Sequence, residues 1–213
     1  MSEDFASNQS YAHSAEPSLQ RYLKEATRHL HARTEKAFDL KHRISTIDGY
    51  RDSLVGLYRL HTASCQALLD LDWREVPVDL ARCQQRLDWL RTDLAYYLFE
   101  VAEIAPPPPL TLADEAEGLG CLYVIEGSML GGEYISRAIQ KRLGVTEENG
   151  GRFFTGFGDG TDAAWWTFVT TLDRHTVTSV GSRAAIGARK TFELFGAVGA
   201  GDASSPRQAR ETF

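Results

Sequence analysis

A glycine-rich stretch inside an otherwise helical pattern restricts most strongly how this chain can fold. The segment 119–132 reads LGCLYVIEGSMLGG and holds four glycines. On either side, 111–116 and 134–143 contain no proline and repeat Leu, Ile and Ala at spacings of three and four, which is typical of a helix. Each glycine inside a helix costs about 1 kcal/mol relative to alanine, so this many glycines need a reason other than helix stability.

The glycines lie on a face that is almost free of side chains. At about 100° per residue, one side of the predicted helix carries only small residues: Ala113, Ala116, Gly120, Gly127, Gly131 and Ala138. Either another helix packs closely against this face, or a flat ligand lies against its backbone. A membrane-spanning helix is excluded, because Glu126, Glu133 and Arg137 interrupt the segment and it lacks an apolar run of about 20 residues.

The composition predicts one cytoplasmic globular domain. The chain has 213 residues, of which 43% are hydrophobic and 24% charged, which is enough for a core. Its net charge of -6 predicts no bulk attraction to nucleic acid or anionic lipid. The three cysteines are far apart without a C-x-x-C motif, so neither a disulfide framework nor a cysteine zinc site is expected. We expect a disordered lead at 1–17 without a signal-peptide core, a helical domain at 18–198 and a flexible tail at 199–213.

Hydrophobic periodicity predicts an all-α domain of six or more helices. The predicted helices span 18–40, 49–71, 80–104, 112–143, 161–176 and 177–197. Asp48 is the predicted N-cap of the second helix, and Gly144 is the predicted C-cap of the fourth. The prolines at 106–109 predict a stiff connector, since proline cannot continue a helix. A glycine-rich loop is expected at 149–160, where only the short run 152–157 has room for a strand.

One histidine of the first helix differs from the others in its neighbours. His31 shares a helix edge with three residues at helical spacing: Lys24, Thr27 and Glu35. An imidazole beside a buried groove can bind iron, and Glu35 can accept its other N–H and fix the tautomer, while Lys24 could neutralise an acidic group of a ligand. The alternative is an ordinary surface pair between His31 and Glu35, which is the commoner arrangement for a histidine taken alone. His29, on the opposite flank, has no such row.

These two segments together resemble the haem oxygenases, most closely the bacterial type found beside bacteriophytochromes. The resemblance rests on LKEATRHLH at 23–31 and on LYVIEGSMLGG at 122–132, with weaker likeness across most of 18–196. It implies a single-domain helical bundle in which haem lies between a proximal helix near the N-terminus and a distal helix that crosses the haem through its glycines.

The resemblance also implies roles for individual residues. His31 would bind the iron, with Glu35 behind it and Lys24 near a haem propionate. The other implied haem contacts are Thr27, Tyr123, Gly127, Gly131 and Gly132, and the implied catalytic residues are Gly127, Ser128 and Gly131. Many haem oxygenases carry an aspartate where this chain has Ser128, which can bind water but carries no charge. Candidates for further propionate contacts are Arg174, Arg183 and Arg189.

The implied reaction is cleavage of haem b by O₂ to biliverdin, carbon monoxide and ferrous iron, with haem both cofactor and substrate. Gly127 and Gly131 would let the backbone come close enough to tilt bound O₂ toward one bridging carbon, and a water at Ser128 would deliver a proton. Electrons would come from a ferredoxin or flavoprotein reductase, because the chain has no G-x-G-x-x-G motif. A bacteriophytochrome is an implied partner. Two other interpretations stay open: a haem carrier or sensor without turnover, and a cofactor-free protein whose glycine face packs a helix.

Overall fold

The regular structure is helical throughout the part of the chain that the structure describes. The computed structural model describes residues 17–74, 76 and 78–199. Its α-helices are α1 (Leu19–Phe38), α2 (Leu40–Arg43), α3 (Ile47–Leu69), α4 (Ala81–Tyr96), α5 (Glu115–Ser128), α6 (Gly132–Leu143), α7 (Arg152–Thr155), α8 (Thr161–Leu172) and α9 (Ser182–Gly199). No strand occurs among the described residues, so the predicted all-α fold is confirmed. The expected lead and tail lie outside these residues, apart from Pro17 and Gly199.

Side-chain caps decide where α1 and α3 begin. The hydroxyl of Ser18 accepts a hydrogen bond from the Arg21 N–H at 3.3 Å and starts α1. Thr46 caps α3, since its hydroxyl accepts from the Gly49 N–H at 3.1 Å. The prediction that Asp48 is the cap was therefore wrong. Asp48 lies inside the first turn, where its negative charge still suits the helix N-terminus.

The connector between α4 and α5 is longer than predicted at both ends. α4 ends at Tyr96 instead of 104, because Leu98 adopts a left-handed conformation with a φ of 60° and the Phe99 N–H turns back to the Leu94 carbonyl. α5 starts after Asp114 rather than at 112, since this carboxylate accepts two N–H groups of the first turn. The prolines between them lie outside any helix, as predicted.

The predicted glycine helix is divided into two helices. α5 ends at Ser128, a 3₁₀ turn spans Met129–Gly131, and α6 begins at Gly132. The prediction of one continuous helix was therefore wrong. Three of the four glycines, Gly127, Gly131 and Gly132, lie where the helix changes its winding. The predicted end of the segment is confirmed, because Gly144 closes α6 with a φ of 69°.

The glycine-rich loop after α6 contains the short helix α7. The possible strand at 152–157 was wrong, since a helical turn occupies most of this run. Asp93 of α4 caps α7, and its two carboxylate oxygens accept the N–H groups of Arg152 and Phe153 at 2.8 Å each. Burial raises the pKa of Asp93 to about 6, although these hydrogen bonds act against the shift.

Helix α9 lies at the centre of the packing. It follows α8 and a π-helical turn at Val177–Gly181, and it packs mainly against α5 and α1, while α3 packs against α4. The core is aliphatic, with fully buried side chains that include Leu19, Leu23, Leu54, Leu60, Leu90, Leu119 and Ile125. None of the helices that the structure describes has the length and apolarity needed to span a bilayer.

Candidate functional site

His31 projects from α1 toward solvent beside α9. Its side chain is 61% exposed, and its Nδ1 lies 3.6 Å from Oε2 of Glu35, one turn further along the helix. The ring meets Phe192 of α9 edge-on, with the ring centroids 5.9 Å apart. Because Nδ1 is turned toward a carboxylate, Nε2 is the nitrogen left to bind a metal ion. A slight movement of Glu35 would let it accept a hydrogen bond from Nδ1–H.

Thr27 and Tyr123 are two predicted site residues that meet across helices. Thr27 lies one turn before His31 and is buried, and its hydroxyl donates to the Leu23 carbonyl at 2.7 Å. Burial raises the pKa of Tyr123 in α5, and a hydrogen bond with Thr27 acts against that shift. Lys24 is exposed on the same helix. The structure thus combines the predicted row on α1 with a direct link to α5.

Two of the four glycines in the segment 119–132 serve packing within the protein. A Cβ atom at Gly120 would lie 1.8 Å from the carbonyl oxygen of Ala184 in α9. A Cβ atom at Gly132 would lie 2.9 Å from the carbonyl oxygen of Phe154 in α7. Close packing is therefore the correct interpretation of the glycine face at Gly120. Packing also explains the glycine at 132, in addition to its predicted contact with haem.

The other two glycines face side chains and not another stretch of backbone. At Gly127 the nearest atom to an added Cβ would be 3.5 Å away, on the ring of Trp165. At Gly131 it would be 3.6 Å away, on the side chain of Ile135. These are ordinary contact distances to side chains, so no other backbone covers either position. Close packing against another backbone therefore does not explain the glycine at either position.

Ser128 lies between these two glycines at the end of α5. Its hydroxyl donates to the Ile125 carbonyl at 2.8 Å, so its oxygen can still accept a hydrogen bond from a water. It borders a cavity of about 70 Å³ whose other walls are mainly apolar. Serine thus offers a neutral acceptor at this position rather than a charge.

A buried ionic cluster directly before Gly127 was not predicted. Glu126 is 5% exposed and accepts two hydrogen bonds from the fully buried Arg86 of α4, at 2.9 and 2.6 Å. Arg82 lies 3.7 Å from the same carboxylate. His61 of α3 is buried nearby, and desolvation together with the Arg86 charge lowers the pKa of His61 to about 3. Three helices therefore meet at this cluster.

The sequence carries one signal for this cluster. Glu126 stands in an apolar run near the C-terminal end of a helix, where a negative charge is unfavourable. A carboxylate in that position requires a cation, but periodicity does not say which one, and Arg86 is 40 residues away. For His61 the sequence carries no such signal, because the charged residue that acts on it, Arg86, belongs to another helix.

Acid is expected to destabilise the protein through His61. The unfolded chain takes up this proton below about pH 6.5, whereas the folded chain does so only near pH 3, because the pKa of His61 is lowered to about 3. The unfolded state therefore binds more protons between pH 6.5 and 3. Stability falls as the pH falls through this window, by up to about 1.4 kcal/mol per pH unit.

The test compares the wild type with His61→Leu by urea denaturation between pH 7.5 and 4.5. Asp93, whose raised pKa of about 6 acts in the opposite direction, is common to both proteins and cancels in the comparison. Relative to the wild type, the variant should gain about 1 kcal/mol per pH unit below pH 6. The exposed His29→Leu is the matched control. A difference between His61→Leu and the wild type that does not vary with pH would contradict a buried neutral imidazole.

The three arginines that are candidates for further propionate contacts are not equally available to a ligand. Arg183 forms an ion pair with Asp114, the N-cap of α5. Arg174 and Arg189 are exposed. Among the three arginines proposed for acidic groups of a ligand, Arg174 and Arg189 are therefore the better candidates.

Comparisons with known proteins bear on the family and on the fold. A family model described as heme oxygenase matches residues 17–200. A heme oxygenase of Xanthomonas campestris pv. campestris is 34% identical over 114 residues, which are 53% of this chain and 66% of that relative. The crystal structure of the NO- and CO-bound heme oxygenase from Neisseria meningitidis superposes with a TM-score of 0.73 at 23% identity, covering 90% of this chain and 98% of that one. At this identity the structural similarity concerns the fold alone. The resemblance is confirmed for the family, and the bacteriophytochrome-associated type stays a prediction.

Proposed function

The chain belongs to the haem oxygenase family, and we propose that it cleaves haem with O₂ and reducing equivalents to biliverdin, carbon monoxide and ferrous iron. The proposal is carried by the pairing of two features: an exposed imidazole with a carboxylate behind Nδ1, and two glycines that no other backbone covers. Haem is the substrate, and its iron supplies the chemistry of O₂ binding and electron transfer.

On the proximal side, the residues of α1 bind and orient the substrate. His31 would offer Nε2 to the iron, and Glu35, which lies 3.6 Å from Nδ1, would accept the Nδ1–H after a slight movement and fix the orientation of the ring. Lys24 lies two turns earlier and can pair with a propionate. Thr27 and Tyr123 interact where α1 meets α5, and both would contact the edge of the haem.

On the distal side, the backbone of the segment between α5 and α6 forms the wall of the site. Gly127 and Gly131 would let this backbone approach the haem, so steric contact would favour cleavage at one bridging carbon. Gly132 lets α6 begin directly against α7. The Ser128 oxygen accepts a hydrogen bond from an ordered water, which holds a proton near the reacting oxygen.

The electrons come from a separate protein, either a ferredoxin or a flavoprotein reductase. The support is the sequence itself, which contains no G-x-G-x-x-G motif for a flavin or nicotinamide. We also propose a cytoplasmic location and delivery of biliverdin to a bacteriophytochrome, both on the resemblance of 23–31 and 122–132 to that bacterial type.

The test is a haemin titration followed by reduction in air. Purified protein is titrated with haemin, and ascorbate or a ferredoxin with its reductase is added with catalase present, so that free hydrogen peroxide does not contribute. A stoichiometric Soret band that collapses to a broad red-absorbing product, identified as biliverdin, is the expected result. A Soret band that persists after the reductant is added would mean that the protein is a haem carrier or sensor and not an enzyme. If no specific Soret band forms, the glycines serve packing only.

A further inference from the structure

We propose that helix α4 is a rigid frame that holds both ends of the segment 126–132, and that its Arg86–Glu126 ion pair thereby positions this segment against the haem. The inference rests on the proposed function, because it assigns positioning residues to the haem site. Arg86 and Glu126 do not contact the substrate. They act through the glycines that follow Glu126 in the chain.

The first end of the segment is held by the ion pair itself. Both nitrogens of the Arg86 fork bind both oxygens of Glu126, at 2.9 and 2.6 Å, and Arg86 is fully buried. A two-point contact of this kind fixes the direction of the carboxylate as well as its distance. Since Glu126 directly precedes Gly127, it also limits how α5 can rotate about its axis next to the distal wall.

The second end is held by α4 through α7. Asp93 accepts the first two N–H groups of α7 at 2.8 Å each. The Phe154 carbonyl oxygen of α7 in turn lies only 2.9 Å from the place that a Cβ of Gly132 would take. Arg86 and Asp93 lie two turns apart on α4, about 10 Å along its axis, and the segment 126–132 covers about the same length. One helix thus spans the stretch in which α5 changes to a 3₁₀ turn and then to α6.

The energetics of the Arg86–Glu126 pair indicate that it positions the segment 126–132 rather than stabilises the fold. A buried ion pair is often no more stabilising than apolar side chains of similar volume. Glu126 also lies in the last turn of α5, where the helix dipole disfavours a carboxylate. Within the described part of the chain, Nε of Arg86 and Nε2 of His61 have no hydrogen-bond partner, which adds a desolvation cost. An apolar cluster would avoid these costs but would not fix the orientation of the segment.

The test separates placement from stability with the double variant Arg86→Met/Glu126→Leu. Its melting temperature is expected to be no lower than that of the wild type, and its haem dissociation constant should stay within about threefold. Haem turnover should fall about tenfold or more, since small misplacements of a reacting group cost this much, and the product should become a mixture of biliverdin isomers. Asp88→Asn, which breaks an exposed ion pair on the same helix, is the control and should change nothing.

A folded double variant with wild-type turnover and wild-type isomers would overturn the proposal. If the double variant does not fold, Glu126→Gln replaces it, and lost turnover at unchanged haem affinity supports the proposal while wild-type turnover overturns it. If the wild type itself does not cleave haem, the proposed function fails separately. The electron paramagnetic resonance spectrum of the ferric haem complex then decides, because an altered spectrum in the variant supports positioning and an identical spectrum overturns it.

Discussion

Replacing His31 with alanine is expected to abolish haem cleavage while leaving the fold intact. The side chain is 61% exposed, and its contacts are the long pair with Glu35 and the ring edge of Phe192, so its removal costs the fold little. The iron, however, loses its protein ligand. The loss of turnover should exceed the roughly 10–100-fold that removal of a residue supporting a metal ligand causes. The measurements are the absorbance spectrum of the haem complex and the rate of biliverdin formation.

His29→Ala is the matched control for this prediction. His29 is exposed on the same helix but on its opposite flank, so both the spectrum and the rate should remain those of the wild type. Adding free imidazole to His31→Ala should restore the spectrum, because a small ligand can fill the vacated place. If His31→Ala keeps the wild-type spectrum and His29→Ala loses it, the register assigned to α1 is wrong.

The part of the site that lies on one helix could be predicted from the sequence. Helical periodicity alone brings His31 and Glu35 together, and the structure places Nδ1 and Oε2 3.6 Å apart. The need for a special explanation of the glycines was also visible, since their cost to a helix is a local property. Such inferences succeed because they depend on spacing along the chain and not on which helices become neighbours.

The contacts between helices could not be predicted in the same way. Arg86 and Glu126 are 40 residues apart, and Asp93 caps a helical turn at Arg152, 59 residues away. Many acidic and basic residues are available for such pairs, and periodicity does not choose among them. The same limit explains the wrong N-cap of α3, where Thr46 and Asp48 are both good capping residues and the backbone geometry decided for Thr46.

The glycine face depends both on spacing along the chain and on contacts between helices. The sequence leaves two interpretations open, helix packing and ligand binding. The structure supports packing at Gly120, and ligand binding at Gly127 and Gly131 is the proposal. α9 fills the space at Gly120, while only side chains at ordinary distances face Gly127 and Gly131. The same substitution at the two ends should therefore have opposite consequences.

Gly120→Ala is expected to destabilise the protein severely. The new methyl group would lie 1.8 Å from the Ala184 carbonyl oxygen and 2.6 Å from the Ala188 nitrogen, and both are backbone atoms that no rotamer change can move. α5 and α9 would have to separate along their main contact, so the cost should exceed about 3 kcal/mol despite the better helix propensity of alanine. For a chain of this size, that corresponds to a fall in melting temperature of about 6–12 °C, measurable by circular dichroism.

Gly127→Ala should instead keep the fold and impair the chemistry. Its methyl group would lie 3.5 Å from Trp165, an ordinary contact, and alanine would gain up to about 1 kcal/mol of helix propensity, so the melting temperature should not fall. The same methyl group would occupy the space through which the distal backbone approaches the haem, so turnover should fall about tenfold or the product isomers should change. Full turnover with a single unchanged isomer would mean that haem does not lie against Gly127. An unchanged melting temperature in Gly120→Ala would mean that α5 and α9 do not pack as closely as their glycines allow.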